Sequence, residues 1–131
     1  MSYKCKNIAL QVVLPLIIGI LIYATLRDQP PFKKFIPWDV PIYDISSLPR
    51  FLFIFIVYRL PDMLWTFAFI SAINMHLKKT LLSAFIVLSV LVFFEYCQYE
   101  GLLSGTGDVG DIFYSLCSII IYLLLYEEEE K

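Results

Sequence analysis

The chain is 131 residues long, 60% hydrophobic and 17% charged, with a formal net charge of −2. Soluble domains carry about 45–50% apolar and about 25% charged residues, so the composition excludes an ordinary water-soluble domain and points to an integral membrane protein. The slight acidity argues against nucleic-acid binding, which needs a clustered basic face.

Ile8 to Leu26 is the first predicted span, nearly all Leu, Ile and Val, interrupted by Gln11, Pro15 and Gly19. About 20 apolar residues suffice to cross a bilayer. Lys4 and Lys6 precede it in the manner of a signal peptide. Ile22, however, stands where a cut after Ala24 would need a small residue, so the expectation is an uncleaved helix.

Residues 27–60 read as an interfacial loop region. Its connector, Arg27 to Arg50, holds five of the seven prolines. Proline breaks helices and extends the residue before it. Phe32, Phe35, Trp38 and Tyr43 make the connector aromatic, and such rings settle at the headgroup layer. Phe51 to Ile73 is apolar but broken by Arg59, Pro61 and Asp62. Two readings compete: one kinked helix running straight through, or a short interfacial or re-entrant piece over Phe51–Tyr58 followed by a new helix over 61–77. The second is preferred. Proline suits a first helical turn, where its missing N–H would have no partner anyway. Asp62 would then meet the positive end of the helix dipole, while His76, Lys78 and Lys79 suit the negative end.

The third span is predicted over 80–99, apolar until Glu95, Gln98 and Tyr99 in its last turns. Gly101 to Gly110 reads as a turn. Asp108 is placed to cap a fourth span over 109–126, with Asp111 in its first turn. Glu127 to Glu130 read as a solvated acidic end. Cys5, Cys97 and Cys117 show no C-x-x-C or metal-ligand spacing, and the last two read as small buried hydrophobes. The expected fold is all-α: a single polytopic domain over 1–131, with four transmembrane helices in a bundle.

With the N-terminus inside, Lys4, Lys6, Lys78, Lys79 and Lys131 lie in the cytoplasm, and Arg27, Lys33, Lys34 and Arg50 outside. The positive-inside rule then favours a multi-pass protein of the inner cell membrane with both termini cytoplasmic.

Chain parity places the start of the second span, the end of the third and the start of the fourth at one membrane face. Arg59, Asp62 and Trp65, then Glu95 and Gln98, then Thr106, Asp108, Asp111 and Ser115 therefore form the candidate ligand-binding set. A charged side chain at a helix centre costs roughly 2.5–3.5 kcal/mol on insertion scales, so intramembrane acids mark sites by default. Asp62, Trp65, Thr66 and Phe69 share helical spacing, as do Asp108, Asp111, Ser115, Ser118 and Tyr122. Such polar faces turn inward because lipid cannot satisfy them. Four acids in one pocket repel and need cations, donors or protons, and Arg59 is the basic residue within reach.

Other chemistries lack residues. His76 falls at the opposite membrane end from the acids, which disfavours a metal site. No serine has a placed histidine partner. Gly105-Thr106-Gly107-Asp108 lacks the lysine of a phosphate loop. The expectation is no cofactor and no conventional enzyme. Three classes remain: a module binding a lipid or lipid-linked molecule, an assembly subunit with a protein partner in the membrane, and a small proton-coupled transporter. The transporter is the least supported of the three, since the other half of each span is almost wholly apolar.

Glu95-Tyr-Cys-Gln98, followed by Gly105-Thr-Gly-Asp108-Val-Gly-Asp111, resembles the C-terminal signature of VanZ-like membrane proteins. Leu60-Pro61-Asp62-Met-Leu-Trp65 is similar to that family's earlier landmark. The resemblance covers roughly Leu60 to Tyr126. It departs where Trp65 stands for a histidine, where no arginine lies between Glu95 and Asp111, and where Ser115 stands for an asparagine. It implies a small cell-envelope protein of a family associated with reduced sensitivity to lipoglycopeptides such as teicoplanin.

Overall fold

A computed structural model describes residues 7–26, 41–103 and 107–126. Four helices carry them: α1 (Ala9–Leu26), α2 (Arg50–Leu77), α3 (Thr80–Tyr99) and α4 (Val109–Tyr126). Each is long and apolar enough to cross a membrane. Their outward faces present large apolar side chains such as Leu81, Phe85, Phe93, Phe113 and Leu124. Water would penalise such a surface, whereas hydrocarbon accepts it.

The bundle is organised around α2, which packs against α1, α3 and α4, while α3 and α4 also pack on each other. Ile70, Ala84, Val87, Ile119 and Tyr122 form the core between α2, α3 and α4. Phe67 meets the Tyr122 ring edge-on, with centroids 5.4 Å apart. Hydroxyls inside the helices return to their own backbone, as in Ser71 to the Phe67 carbonyl (2.7 Å) and Ser83 to the Lys79 carbonyl (2.9 Å). This bonding removes the cost of a hydroxyl in an apolar layer.

The second span corrects one expectation. No separate re-entrant piece covers Phe51–Tyr58, because α2 is one continuous helix of 28 residues. The turn Phe55–Arg59 is π-helical and ends two residues before Pro61. A proline ring clashes with the carbonyl four residues back, and a widened turn relieves that conflict. The same device occurs in α1, where the π-helical turn Ala9–Val13 ends two residues before Pro15. Asp62 is therefore an interior residue of α2 rather than a first-turn acid at the positive end of a new helix. At 1.5 Å per residue α2 is roughly 42 Å long, against about 30 Å of hydrocarbon, so one of its ends must project or the helix must tilt.

The helix ends are built locally. Lys78 closes α2 in the left-handed region (φ 52°), a backbone state that side chains other than glycine and asparagine seldom adopt. Gly101 closes α3 at φ 72°, with its N–H on the Gln98 carbonyl (3.0 Å) and the Leu102 N–H on the Cys97 carbonyl (2.8 Å). That paired bonding satisfies carbonyls the helix leaves open. Within the connector, the Tyr43 N–H bonds the Thr25 carbonyl at 2.7 Å, tacking residue 43 to the end of α1. Phe32, Phe35 and Trp38 lie outside the described residues. Cys97 is buried, Cys117 half-buried, and both are free thiols.

Candidate functional site

Asp108 is the first anchor. Its Oδ1 accepts the Gly110 N–H at 2.8 Å, and its carbonyl accepts the Asp111 N–H at 2.9 Å. It thus caps α4 as its position in the sequence predicts. Its own N–H donates to Glu95 Oε2 at 2.9 Å, which ties the entry of α4 to the last turns of α3.

Arg59 is the second anchor and comes from the π-helical turn of α2. One guanidinium nitrogen pairs with Asp108 Oδ2 at 2.8 Å and the other pairs with Asp111 Oδ1. A planar fork with several N–H donors can hold two carboxylates at once, which a lysine point charge cannot do. The Tyr114 ring lies beside the guanidinium, 5.5 Å from centroid to Cζ, adding a cation–π contact. The cluster is half-buried: the side chains of Arg59, Asp111 and Asp108 are 19%, 28% and 45% exposed. The hydrogen bond from Arg59, followed by that from the Gly110 N–H, holds the Asp108 carboxyl below the ordinary carboxylate range.

Two glycines make this approach possible. A Cβ on Gly110 would fall 2.8 Å from an Arg59 guanidinium nitrogen. A Cβ on Gly107 would fall 2.8 Å from the Tyr99 backbone nitrogen and 3.0 Å from the Glu95 carbonyl oxygen. Reading Gly107 and Gly110 only as flexible turn residues misses this role, as it misses Tyr114. Glycine before and after a capping Asp is the sequence signal that could have found it.

Below the ionic layer, α2 and α4 are joined by hydroxyls. Thr66 Oγ1 lies 3.1 Å from Ser115 Oγ and donates to the Asp62 carbonyl at 2.8 Å, while Ser118 Oγ donates to the Met63 carbonyl at 2.8 Å. Thr66, Ser115 and Ser118 are all buried.

The structure thus brings Arg59, Glu95, Asp108 and Asp111 into one bonded cluster, with Ser115 deeper on the same α2–α4 seam. Asp62 sits one turn beyond Arg59 on α2 and is half-buried. Gln98 is half-buried, and its side chain makes no hydrogen bond to another described residue. Thr106 lies outside the described residues. Trp65 is placed elsewhere: it stacks on Tyr23 of α1, with centroids 4.9 Å apart, and fills the space over Gly19. Its indole N–H is buried without a partner among the described residues. Phe69, on the same predicted face, points outward. The shared face of Asp62, Trp65, Thr66 and Phe69 is therefore divided between α1, α4 and the exterior, because α2 is surrounded on several sides. No group of three metal-ligating side chains occurs among the described residues.

The architecture defines a four-helix, multi-pass membrane protein with an ionic cluster joining three of its helices. No protein-family model, curated protein or solved structure matches the chain.

Proposed function

We propose that this protein is a VanZ-like membrane binding module whose ionic cluster receives a cationic or polyhydroxylated headgroup. The ligand would come from a lipid, a lipid-linked envelope precursor or a lipoglycopeptide-type molecule. The observation that carries the reading is the charge imbalance of a cluster closed at one end of the bundle. Three carboxylates, Glu95, Asp108 and Asp111, surround the single guanidinium of Arg59. The surplus of negative charge at a membrane face attracts ammonium groups and hydroxyl donors and rejects phosphate. Asp62 adds a further acid one turn away, and Gln98 adds an amide.

Native mass spectrometry of the purified chain tests the reading. A co-purifying molecule with an amine or sugar headgroup should be retained by the wild type and lost from Glu95→Gln and Asp62→Asn. Retention unchanged in both variants rejects it. The closure of both Arg59 ion pairs within the chain favours a second reading, in which the cluster is a clamp in an assembly subunit. On that reading Glu95→Gln lowers stability but leaves the bound molecules unaltered.

A further inference from the structure

The opposite end of the bundle holds a second polar feature, around the corner between α2 and α3. A cavity of about 650 Å³ opens between the first turn of α1, the α2–α3 corner and the end of α4. Among the described residues, two cations, Lys78 and Lys79, line it together with Gln11, Asn74, Tyr122 and Tyr126. Nineteen positions of helix separate Arg59 from Lys78, roughly 28 Å at 1.5 Å each, which is about one hydrocarbon thickness. The cavity and the ionic cluster thus face opposite membrane surfaces.

Its floor is organised. Tyr122 is 2% exposed, and its hydroxyl accepts the Asn74 amide at 3.0 Å. The other side of that amide, Oδ1, lies 3.5 Å from Ser83 Oγ. Gln11 reaches the rim from the first turns of α1. Lys78 holds its left-handed backbone where glycine would be unstrained, so a cation is kept at a position that disfavours it.

We propose that this cavity binds a phosphate group, carried on an anionic phospholipid headgroup or free as inorganic phosphate. The argument is chemical. Two ammonium groups with amide and phenol donors form a site for an anion rich in acceptor oxygens. The volume lies within the usual range of roughly 300–1,000 Å³ for a small-ligand site. Its place at the ends of the four spans sets it at headgroup depth, where lipid phosphates lie.

Native mass spectrometry of the full chain should show phosphatidylglycerol retained and diacylglycerol, which lacks the phosphate, not retained. Lys78→Gln with Lys79→Gln should weaken phosphatidylglycerol binding at least tenfold. Gln11→Leu, on a different helix, should weaken it severalfold. Arg50→Gln, an exposed cation at the other end of α2, should leave it unchanged. Displacement by millimolar inorganic phosphate would show that the phosphate group alone suffices. Retention against it would show that the lipid-borne form is the ligand. Equal retention of diacylglycerol overturns the proposal. So does equal loss in Arg50→Gln and the lysine variant, which would mean general surface attraction. Unchanged binding in both the lysine and Gln11 variants overturns it as well.

Discussion

Arg59→Met should separate the entry of α4 from α2, and its cost can be worked from the geometry. The pair with Asp111 joins side chains only 19% and 28% exposed, so it counts as a charge-assisted hydrogen bond of about 2 kcal/mol. Asp108 is 45% exposed, and solvent discounts its pair to about 0.5 kcal/mol. The Tyr114 contact adds about 0.5 kcal/mol. The expected loss is about 3 kcal/mol, more than a hundredfold in the folded-to-unfolded ratio. Reversible unfolding by SDS in mixed micelles, followed by circular dichroism, measures it. Asp108→Asn with Asp111→Asn should cost a similar amount, and adding Arg59→Met to that pair should cost little more, since the shared bonds are already gone. Arg59→Lys should recover only part of the loss, because an ammonium cannot reproduce the fork. A loss under about 0.5 kcal/mol for Arg59→Met, the range of an exposed pair, would refute the reasoning. Additive costs in the combined variant would refute it too.

Gly19→Ala should destabilise the α1–α2 contact by about 1–3 kcal/mol, because the new methyl collides with the Trp65 indole. Adding Trp65→Leu should relieve most of that cost in the same unfolding assay. Asp108 should make stability depend on acid. Its folded carboxyl titrates below its unfolded value, so its contribution is complete above the unfolded value of about 3.9 and is lost as pH falls through the lower folded value. The difference in unfolding midpoint between wild type and Asp108→Asn should be full at pH 7 and shrink only as the pH is lowered below about 3.9. Gly107→Ala and Gly110→Ala should both destabilise in the same assay, the first by pressing on the α3 backbone and the second by displacing the Arg59 guanidinium from its two carboxylates. Ser118→Ala should cost only about 0.6 kcal/mol, the average for a polar contact between membrane helices.

The four spans are legible in the chain because length and apolarity alone decide what crosses a bilayer. The predicted ranges 80–99 and 109–126 coincide with α3 and α4. The cap at Asp108 and the convergence of Glu95 with the start of α4 also follow from sequence, since parity fixes which helix ends share a face. Sequence could not decide which side of each helix meets which neighbour. In α1, α2 and α3 apolar residues surround the helix, so no stripe reports the buried face, and α4 alone shows a distinct polar side. Only the packing of α2 against three partners sent Arg59 to α4 and Trp65 to α1. Only the meeting of three helix ends gathered Gln11, Asn74, Lys78 and Tyr122, far apart along the chain, around one cavity. The continuity of α2 through Pro61 was likewise a tertiary outcome. A proline permits either a break or a widened turn, and the neighbours that cover the turn decide between them.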